Sequence, residues 1–475
     1  MTHKIRLKFS WSSFLRFVSV HCFVLWSAVS FSTETLRVRS SESICQANYT
    51  ALDRSLAGNV PLCPAAQGTQ ILPNHYPPAS VFVGVSAIPE QIELLEVLLD
   101  EAARHEPPLL VNVLLPNKEI EKLSKKVQKF LSPTQARYIN FIQTTSPETI
   151  WVQDYFEVGV NMKDQSRSLI DLFYKKGFGD EIPTTLSLSC QIPIVGKVSK
   201  VQNEVRLHAG NFGGNIEAYP GSLLLVGDNM AATTKSVLAK NLGMQQYQVN
   251  VSWLATGHVD EVFSVVPDQS SKAPCNFAIL RASPKRAFEI LKNSPVRLPN
   301  YVSPVFPGDF EDEEVKKSYH QERDLVHFCL SLADKYISKE LTGFPLRCLR
   351  FFETNDEYEE IIRKDHSGLL AKIRAKTGCK KIRSVLLPVL FKDDDFMLEG
   401  RYAASALNPN SVNGILFSKR IILPKQPYEA FQKDIDASIR SLGLTPRYVN
   451  SGLIHHLQGG LHCLTNIVRS CRPIK

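Results

Sequence analysis

Three short segments of this chain concentrate side chains that can do chemistry: Trp151-Val152-Gln153-Asp154-Tyr155-Phe156-Glu157, Gly257-His258-Val259-Asp260-Glu261, and Gly459-Gly460-Leu461-His462-Cys463-Leu464-Thr465-Asn466. A cysteine attacks only as its thiolate, so Cys463 needs a base or a cation beside it. His258 offers the proton partner. Asp154 and Asp260 bring more acid than the Cys/His/Asn set of a protease uses, and two carboxylates beside a thiol imply a cationic substrate. A guanidinium is planar, carries five donors and stays charged at any physiological pH, so two flanking carboxylates can hold both of its edges. Each such charge-assisted hydrogen bond is worth about 1.5 to 3 kcal/mol. The pair would also align the central carbon with the Cys463 sulfur, and that alignment is itself a large part of catalysis.

Extended backbone places residues two apart on one face. Drawn as strands, His258 and Asp260 share a cleft while Val259 enters the core, and Gln153, Tyr155 and Glu157 lie opposite Asp154. Two sites would then sit back to back.

The elements that must position these groups follow from the hydrophobic pattern. Val81 to Val85 reads as a buried strand, followed by a helix opened by Pro89 and carrying Ile92, Leu95, Val97, Leu98 and Leu99. Strand-like runs recur at Leu109 to Leu114, Tyr138 to Gln143, Leu223 to Val226, Phe277 to Leu280, Ile415 to Phe417 and Ile421 to Leu423. Alternation of strands and helices over more than 400 residues predicts an α/β fold with one large core or two modest ones. The charged, helix-prone stretch from Phe310 to Lys376 is expected on the outside. Lys392-Asp393-Asp394-Asp395 reads as a solvated charged turn.

The first thirty residues have the pattern of a secretory signal. Lys4, Arg6, Lys8 and Arg16 precede an apolar run from Phe17 to Val29, with Ala28 and Ser30 as small residues at a cleavage site. The run is shorter than the roughly 20 residues a membrane span requires, so a secreted or extracytoplasmic protein without stable membrane association is expected after signal removal. Loss of residues 1–30 removes four positive charges and no acid, taking the formal charge from +8 to +4. No dense basic face remains, which argues against nucleic acid as a partner. The organisation expected is a signal over 1–30, an irregular lead-in over 31–75 and a catalytic domain over 76–475. Of ten cysteines, Cys22 leaves with the signal, so nine remain. Eight can pair in an oxidising compartment, and the odd thiol is assigned to Cys463.

Taken in order, these landmarks resemble the catalytic domain of the protein-arginine deiminases, within the guanidine-modifying superfamily. Trp151-Val152-Gln153-Asp154 with Glu157, Gly214-Asn215-Ile216-Glu217 and Gly257-His258-Val259-Asp260-Glu261 are joined by Ala282-Ser283-Pro284, Leu387-Pro388 before Leu390-Phe391-Lys392, Pro409-Asn410-Ser411-Val412-Asn413 and the Cys463 segment. The resemblance runs from about residue 75 to the end. It implies a pseudo-fivefold α/β propeller with the active site at its centre. It also implies hydrolysis of a C–N bond in arginine residues of proteins or peptides to give citrulline and ammonia. Cys463 would attack the guanidinium carbon, Asp154 and Asp260 would hold its nitrogens, and His258 would act as acid and then base, a role suited to an imidazole.

The same resemblance implies one Ca2+ site, with side-chain ligands Gln153, Glu157 and Glu217 and backbone carbonyls from Gly213 and Ile216. Oxygen ligands with two carboxylates suit that ion. A second family calcium site is lost, because Tyr155, Leu172 and Lys175 stand where oxygen ligands belong, although Asp171 could align with one of them. Trp151 and Lys176 are the residues expected to contact substrate. Lys176 replaces one of two family arginines that bind the peptide backbone, and Leu457 stands where the other belongs. Lysine keeps charge without the planar fork. Peptidyl arginine, a small guanidine such as free arginine or agmatine, and a non-catalytic guanidine-binding or adhesion protein with Cys463 bonded to Cys471 are the readings that the sequence leaves open.

Overall fold

The computed structural model describes residues 68–471, apart from 86–88, 107, 117–119, 130, 134, 146–149, 173–179, 199–208, 271–274, 294–327, 399–400 and 458. All of them belong to one compact unit, Ser43–Lys475. The expected signal over 1–30, Cys45, Cys63, Lys175 and Lys176 lie outside the described residues. No helix of the described residues is long and apolar enough to cross a membrane.

Five small sheets repeat one pattern, in which an antiparallel pair is followed by a parallel neighbour. In the third sheet, Ile216–Tyr219 pairs antiparallel with Leu223–Gly227, which pairs parallel with Gln245–Val249. Parallel neighbours cannot be joined by a tight turn, and here the helix Ala232–Asn241 makes the crossover. The fourth sheet has Phe263–Pro267, Phe277–Ser283 and Arg383–Pro388, and the fifth has Ile415–Phe417, Arg420–Pro424 and Thr445–Val449. In the second, Phe156–Asn161, Arg167–Asp171 and Ile194–Lys197 follow the rule, with Thr69–Gln70 added at the edge. The first sheet closes the circle, because the C-terminal strand Thr465–Arg469 pairs antiparallel with Pro78–Gly84. This is the pseudo-fivefold α/β propeller.

Pro78–Gly84 is buried along its whole length, as a central strand covered on both faces should be. Its helix, Pro89–Arg104, starts at proline, which needs no donor there, and carries Glu90 in the first turn and Arg104 in the last, signs that suit the helix dipole. All the strand runs expected from the pattern are present within a few residues of their expected limits.

Three expectations need correction. The lead-in drawn to residue 75 ends too late, since Thr69–Gln70 pairs with Val160 and Asn161, and Ile71 and Leu72 are buried. The charged stretch before Lys376 is more than an outer layer: the helix Leu346–Thr377 sends Phe352, Tyr358, Ile362, Leu369 and Ile373 into the largest core cluster. Its buried Glu359 is held by Arg281, and it accepts the Ser283 hydroxyl at 2.7 Å. Finally, Lys392 to Asp395 is no turn, because Phe391–Leu398 is a strand paired with Arg401–Ala406. Of the three aspartates Asp393 pairs in register, opposite Ala404, and the register shifts between Asp393 and Met397.

Candidate active site

Each of the polar segments singled out in the sequence enters a strand through a short helical turn. Val152–Tyr155 is one helical turn leading into the strand Phe156–Asn161. Gly213–Asn215, Val259–Glu261 and His462–Leu464 are 3-10 turns entering Ile216–Tyr219, Phe263–Pro267 and Thr465–Arg469. Strand parity is therefore the wrong reason for the pairing of His258 with Asp260. The turn brings them together: Glu261 Oε1 accepts the His258 backbone N–H at 3.3 Å, and His258 N-caps the turn that carries Asp260. Likewise Gln153 and Glu157 meet across four residues, Nε2 donating to Oε1 at 3.3 Å.

Ligand atoms of Cys463, His258 and Asp260 all lie within 4.8 Å of one another, and all three side chains are buried. Cys463 Sγ is 3.7 Å from Asp260 Oδ2. Asp154 joins through Gly214, its Oδ1 accepting the Gly214 N–H at 3.4 Å. Gly214 lies against the His258 ring, where a Cβ would come within 2.4 Å of Nδ1. Phe212 meets the same ring edge-on at 6.3 Å.

Asn413 holds the Cys463 segment. Its Nδ2 lies 3.5 Å from Cys463 Sγ, and its Oδ1 accepts the His462 N–H at 2.8 Å. The loop carrying it is set by a buried network in which Asn408 donates to Gln426 at 2.9 Å and Gln426 donates to Ser411 at 3.0 Å and to the Pro409 carbonyl at 2.6 Å. Asn410 donates to the Glu261 carbonyl at 2.7 Å, tying this loop to the His258 turn. Cys463 and Glu261 line a cleft together with Thr256, Ser405, Asn410 and His455.

Among the described residues Cys463 is the free cysteine. Cys275 pairs with Cys379, Cys329 pairs with Cys348, and Cys190 and Cys471 are also disulfide-bonded. The odd-thiol assignment therefore agrees with the structure, and a Cys463–Cys471 bond does not occur.

Burial pushes the Cys463 thiol well above its usual range, and Asp260 and Asp154 push it further. Below its pKa, a thiol's reactive fraction rises about tenfold per pH unit. Labelling of Cys463 by the neutral reagent iodoacetamide should therefore climb at about that slope from pH 7 to pH 9 without levelling off; a plateau below pH 8 would show a thiolate already formed.

The expected calcium ligands also converge. Gln153, Glu157, Ile216 and Glu217 line one cavity with Asn74, His462 and Arg469. Gly213 reaches it too, since a Cβ there would fall 1.9 Å from the Gln153 carbonyl oxygen and 2.9 Å from Glu157 Oε1. Glu217 Oε1 is buried without a hydrogen-bond partner among the described residues, its nearest charged contact being His462 Nδ1 at 3.5 Å. Burial raises the Glu217 carboxyl to about 7, and burial together with Glu217, Asp154 and Asp260 raises Glu157 well above the carboxylate range. Crowded buried oxygens of this kind fit a hard cation. Asp171 is engaged elsewhere, 2.9 Å from Lys197 Nζ.

Two residues of the site were quoted in the sequence but given no role. His462 Nδ1 lies 3.1 Å from Asp260 Oδ2 and 3.5 Å from Glu217 Oε1, so it links the Asp260 carboxylate to the Glu217 cavity. Burial lowers its pKa, yet Glu217 and Asp260 outweigh burial and the net shift is upward. Asn413 is the other. Adjacency to Cys463 was the available signal for His462; for Asn413 the partner is 50 residues away and no local pattern shows it. Of the expected substrate contacts, Trp151 packs against the Gly459 backbone in the Cys463 segment.

The family described as Protein-arginine deiminase (PAD) matches residues 103–475. Human protein-arginine deiminase type-3 is 24% identical over 67% of this chain and 46% of that protein, and human type-1 is 24% identical over 68% and 47%. The chain thus spans less than half the length of these relatives. Among solved structures, a chain provisionally assigned as an agmatine deiminase aligns with a TM-score of 0.50 and 12% identity, covering 85% of this chain and 96% of that one. The agmatine deiminase of Enterococcus faecalis gives a TM-score of 0.49 and 11% identity, over 86% and 99%. At these identities the structural likeness speaks to the fold alone.

Proposed function

The chain belongs to the protein-arginine deiminase family, and from that premise we propose that it is a hydrolase of guanidinium C–N bonds, converting arginine residues of proteins or peptides to citrulline and ammonia. The observation that carries this reading is the convergence of Cys463, His258 and Asp260 within 4.8 Å, with Asp154 alongside. As substrate binds, the Cys463 Sγ–H bond breaks, its proton passes to His258, and the thiolate Sγ adds to the guanidinium carbon. The C–N bond to one terminal nitrogen breaks, and ammonia departs with a proton from His258. Water then attacks the S-alkylthiouronium carbon and gives its proton back to His258; the C–S bond breaks and the urea leaves. Asp154 and Asp260 hold the substrate N–H groups through both halves. The substrate's own charge offsets the field that keeps the thiol protonated, so binding and activation coincide.

Gln153, Glu157 and Glu217 with the carbonyls of Gly213 and Ile216 would hold Ca2+, which when bound supplies positive charge to the acid cluster behind Asp154. The basic leader and apolar run at residues 1–30 support a secreted or extracytoplasmic location.

Leu457 favours a second reading, a small guanidine such as free arginine or agmatine, because it brings no charge to the approach to Cys463. Ammonia and ureido-product release from an arginine peptide, free arginine and agmatine, each with calcium and with chelator, decides between them. Turnover of the peptide in preference to both small guanidines is the expected result. Preference for agmatine or free arginine would overturn the protein-substrate assignment, and no product from any of the three would overturn the hydrolase.

A further inference from the structure

We propose that Cys463, His258 and Asp260 also form a binding site for Zn2+, occupied in competition with substrate, so that this ion is a reversible inhibitor built into the site. A thiol, an imidazole and a carboxylate are the three donor types that zinc takes in proteins, and three protein ligands plus one open position is its habitual catalytic-type geometry. With Zn–S of about 2.3 Å and Zn–O of about 2.0–2.2 Å, a tetrahedral S–Zn–O edge spans about 3.5–3.7 Å. Cys463 Sγ and Asp260 Oδ2 stand 3.7 Å apart. A ligand atom of His258 lies within 4.8 Å of both, so small side-chain movements close the third edge.

Two further observations point to a ligand here. Asp260 Oδ1 is buried and has no hydrogen-bond partner among the described residues. Asp260 Oδ2 is oriented by His462 Nδ1 at 3.1 Å, the kind of outer hydrogen bond that fixes a metal-binding carboxylate. Asp154 and Glu261 add to the negative field at the sulfur, which attracts a dication. Cys463 lines the cleft with Thr256, Ser405 and His455, leaving the fourth coordination position to water. Binding breaks the Sγ–H bond, releases that proton to solvent and forms an Sγ–Zn bond, with no change of oxidation state. Calcium would not compete, because it prefers oxygen ligands in larger numbers. A rival cluster, Glu217, Asp260 and His462, shares Asp260 but lacks sulfur.

Cobalt(II) titration of the mature chain with its disulfides intact, at fixed pH, separates these. One Co2+ per chain should bind with a thiolate-to-cobalt charge-transfer band in the near ultraviolet. Zn2+ should erase the band by displacement, and millimolar Ca2+ should leave it in place. Cys463→Ser should remove the band, and His258→Ala should weaken binding at least about tenfold. Absence of the band at saturating Co2+, its persistence in Cys463→Ser, or its loss to Ca2+ would overturn the proposal. Because the readout is binding, it stands or falls apart from turnover: a missing band with normal product release removes only the zinc site, and a normal band without any product removes only the hydrolase.

Discussion

Cys463→Ala is expected to release no ammonia above background from any guanidine, and Asp154→Asn and Asp260→Asn should each lower turnover by at least about a hundredfold. The first result follows from covalency, since alanine has no atom to form the thiouronium and no neighbour can replace it: Asn413, next to the sulfur, is not a nucleophile. The second follows from charge. Breaking one partner of a buried ionic pair costs roughly 3 to 5 kcal/mol, and a hundredfold in rate needs only about 3 kcal/mol at 1.4 kcal/mol per factor of ten. Asparagine keeps the shape while losing the charge, so a loss of only a few-fold would assign both aspartates to structure. The Asp260 substitution should be the more severe of the two, because its carboxylate touches both the sulfur, at 3.7 Å, and His462, at 3.1 Å. Steady-state product release with an arginine peptide measures all three.

In chelator the folded protein is expected to lose stability as pH rises from 5 to 8, and calcium, if it occupies the proposed site, should restore it. Glu217 titrates at about 7 in the folded state against an ordinary 4.5. For a carboxyl raised on folding, the stabilising contribution is fully present below the unfolded value and lost as pH climbs through the folded one. The difference corresponds to roughly 3 kcal/mol. Glu157 is raised in the same direction, and so is Glu261, to about 8. Calcium at the proposed site would bind the ionised carboxylates of Glu157 and Glu217, and at a hundred times its Kd it would add about 2.7 kcal/mol. Thermal unfolding at pH 5, 6.5 and 8 should show a falling Tm in chelator and a nearly level one with calcium. Glu157→Gln combined with Glu217→Gln should flatten the chelator curve and abolish the calcium response, leaving only the share due to Glu261. Identical curves with and without calcium in the parent protein would remove the ion from this cavity.

How much was legible beforehand varies with the range of the interaction. Strands and the first helix are set by local patterning, so Val81, Leu223 and Ile421 and their neighbours marked their strands without help. Cys463 was singled out by its Gly-rich segment and its motif neighbours; counting added only that one of nine thiols stays unpaired once Cys22 leaves with the expected signal. The motif order carried the family. What no pattern showed was the local conformation of the chemical segments, which are turns at strand entrances where two-residue parity had suggested strands.

By itself, then, the sequence determined the α/β class, the chemical segments and the motif order that carries the family, because each is a property of one segment or of the order of segments. Only the tertiary structure decided which groups touch. Asp260 and Cys463 are separated by 203 residues, and Asn413 and Cys463 by 50. Contacts at such separations exist only once five sheets have closed through the pairing of Thr465–Arg469 with Pro78–Gly84. The same closure brings His462 between Asp260 and Glu217 and so joins two acid clusters that the linear chain keeps apart. A side chain's partners follow from where the backbone returns, and that path is set by the packing of the whole core.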